Sequence, residues 1–70
     1  MVDLELARRL KRIARKKKLR QTELAARMEM DYLKVNRILN GHRTLEAQDL
    51  PSFAAALETD VKVLLGLEEA

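Results

Sequence analysis

Seventy residues with no cysteine and a single histidine, His42, exclude disulfide staples, thiolate metal sites and histidine-rich metal clusters, so packing alone must hold the fold. Leu and Ala are abundant, strand formers are sparse, and Phe53 and Tyr32 are the only aromatics, which predicts an all-α chain forming one domain over residues 1–70. The net charge of +3 divides unevenly: residues 1–43 hold thirteen cations against five acids (+8), residues 44–70 one cation against six acids (−5). A basic half joined to an acidic half suggests one face built for a polyanion. No apolar stretch reaches bilayer length. Met1-Val2-Asp3-Leu4-Glu5 also lacks the layout of a signal peptide, so a cytoplasmic protein is expected.

The first predicted helix runs from Leu4 to Lys17. Leu6, Leu10, Ile13 and Ala14 recur at helical spacing, with Arg8, Arg9, Lys11, Arg12, Arg15 and Lys16 on the other faces. Asp3 suits its N-cap, and Glu5 sits in the first turn, where the helix dipole favours an acid. Such a helix could serve a membrane or an acidic partner. Its narrow apolar stripe favours the plainer reading, a core-facing helix with a solvated basic back.

A second helix is predicted from Gln21 to Met28, with Leu24, Ala25 and Met28 inward. After a break, Asp31 caps a third helix, Tyr32 to Leu39, with Val35, Ile38 and Leu39 inward; Asn40-Gly41 ends it. A polar connection leads to a fourth helix, Leu50 to Leu57, with Asp49 as N-cap, Pro51 in the first turn and Phe53, Ala54 and Leu57 inward. Asp60 caps a fifth, Val61 to Leu65, stopped by Gly66.

The segment from about residue 21 to 39 carries the functional signal. Two short helices meet at a three-residue break. Ala25 is small enough to let their axes approach steeply, and Met30 plugs the corner. Val35 and Ile38 anchor the later helix, leaving Tyr32, Leu33, Lys34, Asn36 and Arg37 outward. An outward face of amide and cationic groups can read base edges and phosphates in a major groove.

At this point the sequence resembles the phage-repressor and Cro type of helix-turn-helix proteins, the Xre-like group, from about Leu6 to Gly66. Three stretches carry the resemblance: Leu19-Arg20-Gln21-Thr22-Glu23-Leu24-Ala25, Val35-Asn36-Arg37-Ile38-Leu39-Asn40-Gly41, and Leu50-Pro51-Ser52-Phe53-Ala54-Ala55-Ala56-Leu57. The resemblance implies a compact five-helix, lambda-repressor-like DNA-binding domain. It puts Tyr32, Leu33 and Asn36 on base-contacting positions with Lys34 and Arg37 beside them. It also puts Gln21 where relatives bond a phosphate and brace the reading residues, Arg20 as an added cation near the DNA, and Asn40, His42 and Arg43 in a backbone-gripping loop. Asn40 serves equally well as a plain C-cap, His42 as a solvated loop residue, and Tyr32 as a cover for the helix start.

The chain departs from this pattern in places. Glu29 stands where relatives carry Gly in the turn, and Arg20 where they carry a Ser or Thr cap. An Arg in the first helix and a Glu near the end of the recognition helix, paired in relatives, are here Ala14 and Leu39. An apolar contact is expected in place of the ion pair. In addition, Ile38-Leu39-Asn40-Gly41-His42-Arg43 resembles the HigA-type antitoxins, which share the fold.

The resulting expectation is a sequence-specific regulator that binds double-stranded DNA, a repressor acting as a homodimer. The alternative is an antitoxin whose main partner is a toxin protein. Val61, Val63, Leu65 and Leu67 offer more apolar surface than a short helix can bury internally and form the expected dimer interface. No group of residues suggests an enzyme, a metal or a cofactor.

Overall fold

A computed structural model describes residues 4–68. Five helices follow in order: α1 (Leu4–Lys16), α2 (Gln21–Met28), α3 (Tyr32–Leu39), α4 (Asp49–Ala56) and α5 (Val61–Leu64). The expected cap Asp3 lies outside the described residues. α1 and α5 each stop one residue short of the expected end, and α2 and α3 match the sequence reading. No helix among the described residues is long and apolar enough to cross a membrane.

One core joins all five elements. Leu10 of α1, Leu24 of α2, Val35 and Ile38 of α3, Phe53 of α4 and Leu64 of α5 are almost fully buried in it, with Leu57 just beyond α4. α3 packs on both α1 and α2, while α4 rests on α2 and α5. Ala25 of α2 is buried at 5 % exposure, and the half-buried Met28 and Met30 pack against the same core. Ala14 and Leu39 are both buried in this core, so the positions of the missing ion pair are filled by apolar groups.

Every described helix ends in the same way. The third residue past the helix, or the second in α2, donates its N–H to the carbonyl five residues back, the residue before it donates to the carbonyl three back, and that preceding residue is left-handed. Gly41 and Gly66 fill this position after α3 and α5, but Lys18, Glu29 and Glu58 fill it after α1, α2 and α4. Asn40 is not left-handed (φ −92°); Gly41 takes that role. Glu29, at φ 53°, therefore bears the strain anticipated for a side chain in place of Gly. Glu29→Gly should stabilise by about 1 kcal/mol, raising Tm by about 4–8 °C in a thermal melt.

The starts of the helices differ more. Asp31 and Asp60 cap as expected, accepting from the N–H of Leu33 (3.0 Å) and of Lys62 (2.9 Å). Arg20 has no acceptor atom in its side chain, so only half of the capping exchange forms before α2: Glu23 accepts the Arg20 N–H at 3.3 Å. Asp49 corrects the sequence reading. It lies inside the first turn of α4, buried, and its Oδ2 accepts the N–H of Glu46 at 3.1 Å. The carboxylate thus closes the loop behind it rather than capping the helix ahead.

Three of the cations in the basic half have structural tasks. Arg9 Nη1 donates to the Leu64 carbonyl (3.0 Å) at the end of α5, and Nη2 pairs with Glu5 (3.2 Å). Arg27 Nη1 donates to Ala56 O (2.9 Å) and Lys17 Nζ to Glu58 O (2.8 Å), so both close the end of α4. Cations at helix C-termini satisfy open carbonyls and complement the dipole.

Candidate nucleic-acid interface

The outward face of α3 is built by its inward one. Burial of Val35, Ile38 and Leu39 fixes the rotation of the helix, and Tyr32, Leu33 and Arg37 are left exposed, with Lys34 and Asn36 half-buried. Tyr32 keeps 44 % and Leu33 56 % of their surface in solvent, much for residues this apolar. Single exposed apolar groups are unremarkable, but these two stand side by side at the start of a helix flanked by polar groups.

Gln21 and Asn36 form the best-defined polar contact of the site. Asn36 Nδ2 donates to Gln21 Oε1 at 2.7 Å, joining the first residue of α2 to the middle of α3. The amide of Gln21 is thereby oriented with its Nε2 donors free of this bond. Asn36 keeps Oδ1 and its second N–H, the donor–acceptor pair that an adenine edge accepts. This bond joins two residues that the family resemblance assigned to the interface.

Tyr32, Asn36, Gln21 and Asn40 border an open groove of about 950 Å³ between α3 and α1, floored by Ala14, Leu19 and Leu39. Lys11, Arg15, Lys18 and Arg20 also line it, and no carboxylate does. Lys11 Nζ donates to Asn40 Oδ1 (3.2 Å), tying the end of α3 to α1. Asn40 is therefore the C-cap residue by position and also a polar group at the groove's edge. His42 and Arg43 are exposed in the segment after Gly41. Lys11, Arg15 and Lys18 were not singled out in the sequence. Spacing puts Lys11 and Arg15 on one side of α1, with Lys18 in the turn after it, but Arg12 and Lys16 obey the same periodicity on another side, and only the docking of α1 separates the sets.

The expected dimer residues part company. Val63 is 9 % exposed and belongs to this chain's own core, which corrects its assignment to an outer surface; Val61 is half-buried against that core. One turn of helix presents adjacent side chains to different sides, and Val63 shares the inward side with Leu64. Leu65 (43 %) and Leu67 (73 %) remain exposed.

Comparison with known proteins bears on this arrangement. The profile of a family described as helix-turn-helix domain matches residues 5–65. The fold is similar to the crystal structure of the restriction-modification controller protein C.AhdI from Aeromonas hydrophila, with a TM-score of 0.83 and 24 % identity, over 87 % of this chain and 92 % of that one. No curated protein matches the sequence.

Proposed function

The chain belongs to the helix-turn-helix domain family, and we propose that it is a DNA-binding transcription regulator, a cytoplasmic repressor that binds a pseudo-palindromic operator as a homodimer. The observation that carries the sequence-specific part is the Gln21–Asn36 amide pair at 2.7 Å, set beside a cationic groove without carboxylates. Asn36 reads a base edge while Gln21, held by the same bond, donates to a phosphate. Tyr32, Leu33, Lys34 and Arg37 complete the reading face, Leu33 being suited to a thymine methyl and Arg37 to a guanine. Arg20, Asn40, His42 and Arg43 grip the backbone.

The dimer follows from reach. One eight-residue recognition helix covers a few base pairs, and pairing sets two such helices about 34 Å apart in successive major grooves. Leu65 and Leu67, with the edge of Val61, supply the contact. So small an interface is weak in solution and is strengthened by a shared operator.

Selection of bound duplexes from a random pool tests the reading. The expected result is a two-fold symmetric site, with Asn36→Ala relaxing preference at one position per half-site by about 1–3 kcal/mol and leaving non-specific affinity nearly intact. Sedimentation with operator should give two chains per site, and Leu65→Lys should reduce this to one. An unstructured selection profile, or tight binding of a single half-site by the monomer, would refute repressor action through a dimer. A stoichiometric protein complex that survives high salt would point to the antitoxin role instead.

A further inference from the structure

We propose that the C-terminal half of α1 and the turn after it form a second DNA-gripping element, with Lys11, Arg15 and Lys18 holding phosphates of the strand that passes the reading face of α3. The inference rests on the DNA-binding reading above and extends it to residues outside the helix-turn-helix.

The groove supplies the argument. Its α3 wall carries Tyr32 and Asn36, so a duplex read by α3 brings backbone to the groove's mouth. Its α1 wall carries Lys11, Arg15 and Lys18, and Arg20 stands at the start of α2. Four cations converge on one concavity with no acid to neutralise them, and like charges so gathered raise the local potential for an anion. Lys11 and Arg15 lie about one turn apart on α1, about 6 Å along its axis, and Lys18 follows in the turn after the helix. Such a row can meet on the order of two phosphates of one strand. A compact anion would not need such a row; a polyanionic strand does.

Lys18 lines the groove from the turn after α1, left-handed at φ 58° as Glu29 and Glu58 are after α2 and α4. Arg12 and Lys16, in contrast, line a different hollow beside Val63 and Gly66 near α5. The charges on one helix are therefore sorted by face, and one face alone looks toward the reading residues.

The experiment measures affinity for an operator duplex (or a random-sequence duplex, if no operator has been selected) against salt concentration. Arg15→Gln and Lys18→Gln should each lower the slope of log affinity against log salt by about 0.9 per subunit. Arg12→Gln and Lys16→Gln remove the same charge from the same helix and should leave the slope unchanged. Lys18→Gly should bind more weakly, with the reduced slope, while melting at a higher temperature, so lost affinity cannot be lost folding. Equal slope changes on both faces, or none on the groove face while binding persists, overturn the proposal and leave the functional reading standing. A native chain that binds no duplex at any salt sinks both.

Discussion

Leu39→Glu is expected to destabilise the protein by about 3–5 kcal/mol at 25 °C. Leu39 is 2 % exposed at the end of α3, and Ala14 of α1, with which it shares the core, offers no positive charge. A carboxylate there loses the packing of a buried leucine and must either ionise without a partner or stay protonated. Costs of about 3–5 kcal/mol are usual for an uncompensated buried charge. A chain of this size has a total stability of about 3–10 kcal/mol, so the loss consumes a large part of it. Ala14→Arg in the same chain should recover part of the deficit by rebuilding the pair that relatives carry. Urea unfolding followed by circular dichroism measures all three proteins. A double variant no more stable than Leu39→Glu alone would show that the two positions do not communicate.

Gly66→Ala should cost about 2–3 kcal/mol, for two separable reasons. The backbone at φ 78° is left-handed, where a side chain is strained, and an added methyl would lie 2.8 Å from the Arg9 guanidinium carbon. Relief of that clash moves Arg9 away from the Leu64 carbonyl, which it caps at 3.0 Å. Backbone strain survives removal of Arg9, whereas the clash does not. Gly66→Ala should therefore cost about 1 kcal/mol less in an Arg9→Ala background than in the native one, a coupling read from a double-mutant cycle. Equal costs in the two backgrounds would mean that Arg9 yields freely and that the backbone angle alone demands glycine.

Apolar periodicity and capping chemistry made the helices legible. Leu24, Val35, Ile38 and Phe53 could be assigned inward because each recurs with an apolar neighbour at three or four residues, and Asp31 and Asp60 assigned as caps because a short acceptor precedes each run. Asp49 misled for a physical reason: a carboxylate at a helix start can bond forward or backward, and the sequence does not encode the loop geometry that decides. Arg9 read as solvated charge and Arg27 and Lys17 drew no assignment, because their partners are main-chain carbonyls 55, 29 and 41 residues away, groups that every residue possesses. Val63 failed similarly, since a four-residue helix has no periodicity to show which side faces in. At the site, residue types in α3 were enough to nominate Asn36, but its bond to Gln21 spans two helices and depends on their crossing.

Helices of eight, eight, eight and four residues cannot persist in water by themselves, so α2 to α5 exist only while the shared core does. For the reading face this moves a thermodynamic burden from one event to another. α3 is ordered during folding, clamped between α1 and α2, and the Asn36 amide is aimed before any ligand arrives. Little backbone entropy is left to lose when a groove is engaged, and a pre-aimed side chain forfeits fewer rotamers. Discrimination between operators then rests on enthalpic fit at the base edges rather than on how far each sequence can coax a disordered segment into shape.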